Sequence, residues 1–257
     1  EDESDYPFGE MLDYTDDEIF YSKTYYHAAL NFVDEQIGNI TQALEDRGQL
    51  NNTIILFTSD HGDMMNDHYL TGKSVPYEGS THIPLIVSWP DELAEQLSIT
   101  AEKGSNSSSI TELRDVFPTF YDIAGGNLTD YSFDGSSILS LLQDFNATWR
   151  THIDLGLEDE NDGRKSWNAI IDDKGWKYIF NGTDGVESLY NLNSDPYETK
   201  IVVDENPDEV ERLRGLLVAQ FEAEERGDEW VIDGHLVVRE EVIIYSLNLP
   251  VSDLLIW

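Results

Sequence analysis

Four polar residues follow one short apolar run closely enough in the sequence to share a reactive site. The run Thr53-Ile-Ile-Leu-Phe-Thr58 leads into the adjacent Asp60 and His61. His68 and Lys73 lie 8 and 13 residues beyond Asp60. A carboxylate with an imidazole can bind a cation, an ammonium group can hold an oxyanion, and a second imidazole can carry a proton. These residue types together favour hydrolysis of an oxyanion ester.

Each of these residues also has an ordinary structural explanation. A solvated aspartate that caps a turn beside a surface histidine would account for Asp60 and His61. His68 could be a structural histidine that binds the backbone of its own loop. Chemistry is favoured because ligands of open α/β sheets bind just beyond the carboxyl ends of strands, where Asp60 lies. The other histidines have weaker support and are expected to pack or to face solvent: His27, His82, His152 and His235.

The predicted elements before residue 165 alternate between helix and strand. Thr15 and Glu18 have the spacing of a capping box, and apolar residues then recur every three or four positions towards Gly48, which is the predicted stop. The apolar runs 53–58 and 83–89 lack polar alternation, which is typical of strands covered on both faces in a parallel sheet. A second helix is predicted over 111–124. The fold class is therefore predicted to be α/β.

The pattern changes after about residue 165. Three short strands, around 167–172, 177–180 and 187–192, are separated by turns and predict a small antiparallel meander. An amphipathic helix is predicted over 207–225. We therefore divide the chain into an α/β part, residues 1–160, and a small antiparallel sheet with a helix, residues 161–257. The apolar end, residues 236–257, is strand-like and has no assigned role.

Motifs along residues 20–210 resemble, in the same order, those of the sulfatases, a family of the alkaline-phosphatase-like superfamily of metal-dependent hydrolases. The stretch with the polar residues reads Asn52-Thr-Ile-Ile-Leu-Phe-Thr-Ser-Asp-His-Gly62, followed by Asp67-His68 and Lys73. The other matching stretches are Tyr25-Tyr26, Val33-Asp-Glu-Gln-Ile-Gly38, Tyr77-Glu-Gly-Ser80, Ile83-Pro-Leu-Ile-Val87, Asp115-Val-Phe-Pro-Thr119, Ile123-Ala-Gly125, Asp134-Gly-Ser136, Leu189-Tyr-Asn-Leu192 and Asp195-Pro-Tyr-Glu-Thr199.

The resemblance implies a fold and a role for each polar residue. The fold would be part of an alkaline-phosphatase-like sandwich, mostly a parallel sheet with flanking helices, and a small antiparallel carboxy-terminal subdomain. Asp60 and His61 would complete the site of one divalent cation, with calcium first and magnesium or manganese as alternatives. Many relatives have Asn at the position of His61, and because an imidazole is a softer ligand than an amide oxygen, manganese and zinc also stay open. Lys73 would bind the sulfate, and His68 would lie near the leaving group.

The sequence departs from the family pattern at the nucleophile. Sulfatases use a formylglycine made from Cys or Ser in a Cys/Ser-x-Pro-x-Arg motif, and this sequence lacks it. Ser74-Val-Pro-Tyr-Glu78 copies the spacing, but it has Glu in place of Arg and follows the metal motif instead of preceding it. The paired acidic ligands of the family are also missing, because Asp16-Asp17 are better explained by a helix amino terminus. We therefore expect the carboxy-terminal portion of a sulfatase, inactive alone, whose nucleophile lies upstream.

Two other functions stay open. A phosphodiesterase or phosphonate monoester hydrolase of the same superfamily would use the same Asp-His-Gly motif, since phosphate and sulfate esters are similar tetrahedral oxyanions. A non-catalytic domain that binds cations or partners through its acidic surface is the third function. The predicted partner of the enzyme is a sulfated small molecule, with a mild preference for a sulfated carbohydrate.

The net charge of −37, from 52 acidic and 15 basic residues among 257, excludes nucleic-acid binding as the main activity. The acidic residues are spread along the chain, which favours a saline setting over an ordinary acidic surface. Without cysteine, disulfides and thiolate chemistry are excluded. No apolar run reaches the roughly 20 residues of a membrane span. A secreted or periplasm-like location is somewhat favoured, and a halophile cytoplasm stays possible.

Overall fold

The computed structural model describes residues 14–158 and 166–239. The helices are α1 (Asp16–Asp46), α2 (Glu78–Thr81), α3 (Asp91–Gln96), α4 (Val116–Ile123), α5 (Leu139–Gln143) and α6 (Pro207–Ala223). The strands are β1 (Ile55–Thr58), β2 (Leu85–Ser88), β3 (His152–Leu157), β4 (Trp167–Asp172), β5 (Trp176–Asn181), β6 (Glu187–Asn191), β7 (Val231–Ile232) and β8 (His235–Leu236). The mixed α/β class with a small antiparallel sheet is thus confirmed.

Helix α1 begins and ends where the sequence predicts. Thr15 and Glu18 form the reciprocal capping box, and Asp16, Asp17 and Glu18 occupy the first turn, where carboxylates oppose the positive end of the helix dipole. Gly48, with φ of 66°, follows the carboxy-terminal cap at Arg47. None of the 31 residues of α1 is buried. Its apolar face therefore lies open in the described part of the chain.

Strands β1 and β2 form a two-stranded antiparallel sheet, in which Ile55 pairs with Ser88 and Thr58 with Leu85. The sequence predicted two strands typical of a parallel sheet without pairing them with each other, and the pairing found between them is antiparallel. A parallel partner needs a crossover of a dozen or more residues, usually a helix, whereas the chain between β1 and β2 holds no helix longer than the four-residue α2. Nor are both faces covered, since Phe57 is 37% and Ile86 58% exposed.

Strands β3 to β6 form one antiparallel sheet in sequence order. Three of them were predicted, and β3 was missed because its sequence, HIDLGL, contains a glycine and no uniform apolar run. β3 precedes residue 161 and pairs with β4, so the sheet begins on the amino-terminal side of the predicted boundary. The boundary itself, at residue 160, lies outside the described residues, as does most of the apolar end 236–257.

The two faces of this sheet contact different parts of the molecule. One face, with Trp167, Ala169, Ile179 and Tyr190, packs against a segment whose buried residues are Met64, Leu70, Val75 and Tyr77. The other face packs against α6, whose inner residues are Val210, Leu213, Leu217 and Phe221. Because successive strand residues point to opposite faces, each strand contributes to both cores. The sheet thus joins α6 to the segment that follows β1.

Helix α4 is shorter than the predicted 111–124. A 3-10 turn at Leu113–Asp115 precedes it. The carboxylate of Asp115 accepts hydrogen bonds from the Glu112 and Ser136 amides, at 2.9 and 2.8 Å, and from Arg150. This buried carboxylate fixes the chain before the helix can begin. Among the described residues, no helix is long and apolar enough to cross a membrane.

Candidate active site

The site loop, residues 59–73, starts where β1 ends, and Gly62 anchors its first turn. The Gly62 amide donates to the Ser80 carbonyl at 2.8 Å. A Cβ at position 62 would lie 2.1 Å from the Gly79 carbonyl oxygen, inside any van der Waals contact. Only glycine lets the backbone after His61 approach α2 this closely. The glycine of the Asp-His-Gly motif is therefore required by packing.

Asp60, His61 and Lys73 lie together at the start and end of this loop. The His61 Nε2 atom is 3.3 Å from Asp60 Oδ2 and 2.7 Å from Lys73 Nζ. The side chain of Asp60 is 81% exposed and that of His61 39%. The carboxylate and the ammonium thus each contact the imidazole, at a surface open to a ligand.

The orientation of His61 fits that of a metal ligand. Its Nδ1 atom lies 2.8 Å from the Gly62 carbonyl oxygen, which can only accept, so Nδ1 carries the proton and Nε2 presents its lone pair. Metal-binding histidines commonly donate their second ring N–H to a carbonyl in this way. The Lys73 ammonium now occupies the lone-pair direction. Asp60 and His61 therefore fit as two ligands of a cation, and the described ranges contain no cluster of three or more such donors.

Asp60 is ionised at neutral pH. Desolvation raises the pKa of its carboxyl group, but hydrogen bonds from the Asp60 and His61 backbone amides and from the Ser59 hydroxyl outweigh it. The pKa of Asp60 therefore lies below its ordinary value, and the anionic form that a cation requires is the one present.

Asp63 was not predicted from the sequence, yet it closes the site loop. Its Oδ1 atom accepts from the amides of Met65 at 2.9 Å and Gly72 at 3.2 Å, and the Met64 amide donates to the Gly72 carbonyl at 2.8 Å. The loop and the residue after it contain positive-φ residues that seldom adopt this conformation: Met65, Asn66, His68, Tyr69 and Ser74. Such backbone persists only where its surroundings determine it. Asp63 supplies part of that restraint.

His68 makes its contacts with a different part of the molecule. Its Nε2 atom lies 2.9 Å from the Tyr197 carbonyl, so Nε2–H donates, and its ring stacks on Tyr77 at 4.2 Å between centroids. Burial lowers the pKa of His68, which favours the neutral imidazole. The ring also lines a cavity of about 410 Å³ bounded by Glu78, His82 and residues 196–199. The structure therefore does not place His68 in contact with the Asp60–His61–Lys73 group.

A buried ion cluster surrounds Glu78, five residues beyond Lys73, and was not predicted from the sequence. The Lys177 side chain is fully buried and pairs with Glu78 at 3.0 Å and Glu198 at 2.8 Å. Glu198 also accepts from the Glu78 amide at 2.6 Å, and His82 pairs with Glu78 at 2.8 Å. Glu78 and Glu198 occur in two of the matching motifs. The sequence features that could have indicated this cluster are the two glutamates in matching motifs, Glu78 and Glu198, and Lys177 within a predicted strand.

The charge states of this cluster follow from its partners. Desolvation raises the pKa of Glu78, but His82 and Lys177 overcome it and lower that pKa to about 2. Burial raises the pKa of Glu198, against the attraction of Lys177. The hydrogen bond to Glu78 raises the pKa of His82. Glu78 is therefore ionised and bound to Lys177. In the segment Ser74-Val-Pro-Tyr-Glu78 this carboxylate stands at the position where the nucleophile motif has its arginine.

The fold places the chain in the alkaline-phosphatase-like superfamily. A family model described as Sulfatase matches residues 4–126, and one described as N-sulphoglucosamine sulphohydrolase, C-terminal, matches residues 66–225. The chain belongs to the sulfatase family. The resemblance noted from its motifs is thereby confirmed.

Individual relatives agree with this assignment. The arylsulfatase of Clostridium perfringens is 35% identical over 208 residues, covering 80% of this chain and 41% of that protein. The structure of BT4656 in complex with its substrate D-glucosamine-2-N,6-O-disulfate is similar with a TM-score of 0.66 and 28% identity, covering 77% of this chain and 40% of that one. The phosphonate monoester hydrolase of Agrobacterium radiobacter has a TM-score of 0.66 and 25% identity, covering 88% and 47%. The chain thus spans about two fifths of the length of the arylsulfatase.

Proposed function

We propose that this chain supplies the carboxy-terminal half of a sulfatase active site, and that the whole enzyme hydrolyses sulfuric esters. The contact of Asp60, His61 and Lys73 carries the proposal, since His61 Nε2 lies 3.3 Å from Asp60 and 2.7 Å from Lys73. An anion, a metal-type imidazole and a cation at one strand end form a site for an oxyanion.

Each residue has a proposed role. Asp60 and His61 bind one divalent cation, calcium first and magnesium or manganese as alternatives, and such a cation when bound supplies charge neutralisation for the ester oxygens. Lys73 donates a hydrogen bond to a sulfate oxygen. His68 is the weaker candidate for the leaving group, because its Nε2–H is already donated to the Tyr197 carbonyl. The formylglycine nucleophile belongs to a part upstream of Glu1.

We propose further that residues 1–257 alone do not turn over a sulfate ester. Two protein ligands leave a divalent cation incompletely coordinated, since calcium takes 6–8 oxygen ligands and magnesium close to six. The open face of α1 supports the same proposal, because Phe20, Phe32 and Ile40 are 65%, 64% and 63% exposed in the described part of the chain, as expected of a helix face that lacks its apolar partner.

The substrate proposed is a sulfated carbohydrate. The family model over residues 66–225 is that of an N-sulphoglucosamine sulphohydrolase, and BT4656 was solved with a disulfated glucosamine. The cavity beside His68, at about 410 Å³, falls within the range of small-molecule sites. A phosphonate monoester hydrolase is the second candidate enzyme, because one such hydrolase shares the fold at a TM-score of 0.66. A non-catalytic cation-binding domain is the third candidate.

Lys73 tests the proposal in the enzyme that includes the upstream part. Lys73→Ala is expected to lower kcat/KM for an aryl sulfate by about 10²–10³, the usual loss of one oxyanion donor. Lys103→Ala is the matched control. Lys103 lies in a loop outside the site and pairs with the exposed Asp91. The activity of this variant should equal that of wild type. Equal activity of the Lys73 variant and wild type would contradict the role. A larger kcat/KM for an aryl phosphonate would favour the second candidate.

The isolated chain gives the complementary test. Purified 1–257 with calcium, magnesium or manganese should give no detectable hydrolysis of an aryl sulfate. Hydrolysis that disappears in Asp60→Ala would show that the half-site is sufficient. The coding sequence upstream of Glu1 decides the nucleophile: a Cys/Ser-x-Pro-x-Arg motif supports a formylglycine sulfatase, and a start at Glu1 supports the non-catalytic domain.

A further inference from the structure

The residues that follow Lys73 are held by the four-stranded sheet of β3 to β6, and not by β1, the strand that precedes Asp60. We call residues 74–78 the anchor segment. The Trp167 indole N–H donates to the Ser74 carbonyl at 3.1 Å. Val75 is 5% and Tyr77 0% exposed in the core that they share with Trp167. The anchor segment is therefore bound to the sheet by its backbone and by its side chains.

The far end of the anchor segment is fixed by charge. Lys177, on β5, pairs with the Glu78 carboxylate at 3.0 Å, and Glu198 accepts from the Glu78 amide at 2.6 Å. Lys177 also pairs with Glu198 at 2.8 Å, so one buried ammonium holds both carboxylates. Loss of one member of such a buried group leaves an uncompensated charge. The cluster therefore resists any displacement of Glu78 from the sheet.

Lys73 needs such restraint because its surroundings are strained and its side chain is long and exposed. Gly72 and Ser74, on either side, have φ of 73° and 77°. For serine this conformation is unfavourable and persists only where neighbours determine it. A lysine side chain loses much rotamer freedom when it is held in one place. The contact with His61 at 2.7 Å thus depends on where the anchor segment places the backbone.

We infer that Trp167, Lys177 and Glu198 are positioning residues, which fix Lys73 against His61 by binding the anchor segment to the sheet. The small carboxy-terminal sheet thereby sets the position of the oxyanion-binding ammonium group. This inference rests on the role proposed for Lys73. Its test does not, because the position of Lys73 can be measured without sulfate, metal or turnover.

The test compares two changes on one face of the sheet with one on the other. Trp167→Phe removes the indole N–H and keeps an aromatic ring, and Lys177→Met removes the buried ammonium. Tyr178→Phe is the matched control, since Tyr178 is the next residue of β5 and its hydroxyl bonds Glu187 on the α6 face. The readouts in the full chain are the NMR shift of the Lys73 ε-methylene, assigned with Lys73→Arg, and amide hydrogen exchange over residues 72–78.

Both variants are expected to move the Lys73 ε-methylene towards the shift of a solvated lysine, because the His61 ring current is lost. Exchange over 72–78 should rise at least tenfold relative to α6. Tyr178→Phe should leave both readouts at their wild-type values. Unchanged readouts in Trp167→Phe, or equal changes in Tyr178→Phe, would overturn the inference. If Lys177→Met fails to fold, Trp167→Phe decides, since it removes one hydrogen bond and part of one buried ring and leaves the ion cluster in place. Normal Lys73 positioning without any effect of Lys73→Ala on turnover would refute the proposed function and leave the inference standing.

Discussion

At the scale of single residues, the site depends on a glycine as much as on its charged groups. Gly62→Ala would place a methyl group 2.1 Å from the Gly79 carbonyl oxygen, and backbone atoms cannot yield as a flexible side chain would. We expect the free energy of unfolding to fall by about 1–3 kcal/mol, the usual cost of overpacking. Urea denaturation followed by circular dichroism measures the loss.

Gly38→Ala is the matched control for this change. Gly38 lies in α1, and a methyl group added there would meet no atom within 4 Å. Alanine is favoured over glycine inside a helix by about 1 kcal/mol, so this variant should be as stable as wild type or more stable. A loss of equal size in both variants would show that steric conflict at Gly62 is not the cause.

The sequence predicted site residues that lie close together along the chain, and it did not predict contacts between residues far apart in the chain. Asp60, His61 and Lys73 occur within one motif, and the structure brings them into contact, although their roles stay predictions. Asp63 was missed because its carboxylate accepts hydrogen bonds from backbone amides, and residue spacing does not predict such bonds. Lys177 was missed because Glu78, its partner, lies 99 residues away in the sequence. Such a contact forms only when the sheet meets the loop.

At the scale of elements, the ion pair between β5 and α2 should give the fold a defined dependence on pH. The pKa of Glu78 is lowered from 4.5 to about 2, so its stabilisation is fully present above pH 4.5 and is lost as the pH falls towards 2. Glu78→Gln should therefore lower the free energy of unfolding by roughly 3 kcal/mol at pH 7, since a difference of one in pKa corresponds to about 1.4 kcal/mol. The difference from wild type should shrink below pH 4.5, as measured by urea denaturation at several pH values.

Glu205→Gln serves as the comparison at this scale. Glu205 pairs with Lys200 at 2.7 Å, but both side chains are more than half exposed. Exposed pairs contribute about 0–1 kcal/mol, so this variant should differ little from wild type at any pH. A pH-independent loss in Glu78→Gln would mean that the carboxylate charge does not carry the effect.

Elements with local signals were predicted well. The capping box gave the start of α1, and the amphipathic pattern of 207–225 corresponds to α6. The antiparallel pairing of β1 with β2 was not predicted, because uniform apolar composition reports burial and carries no information on strand direction. β3 was missed because strand propensity depends on packing against its neighbours. In both cases the missing information was which strand pairs with which.

At the scale of the whole molecule, two helices of similar apolar composition should differ in their contribution to stability. Leu30 in α1 is 48% exposed, whereas Leu213 in α6 is 0% exposed. Leu213→Ala should lower the free energy of unfolding by about 2–5 kcal/mol, as buried leucines do. Leu30→Ala should lie within about 0.5 kcal/mol of wild type, as exposed substitutions do.

Because the substitution is Leu→Ala at both positions, the two variants differ only in where the leucine lies. Thermal or urea denaturation of residues 1–257 measures the difference in stability. A loss above about 2 kcal/mol for Leu30→Ala, the lower bound for a buried leucine, would show that α1 is packed in the isolated chain. If the open face of α1 packs against the upstream part of the enzyme, Leu30→Ala should become costly only when that part is present.

Because side chains alternate along β5, the register of this strand determines both its contact with the anchor segment and its contact with α6. Lys177 points to the anchor segment, and Tyr178 points to α6. An insertion that shifts the register of β5 by one residue would exchange these directions, sending an ammonium into the apolar contact with α6 and a phenol towards Glu78. Substitutions can change either face separately, but insertions and deletions cannot. The turns of this sheet can therefore accept changes in length during evolution only where the register of β5 is preserved, and a homologue that altered it would lose the α6 core and the anchor of Lys73 together.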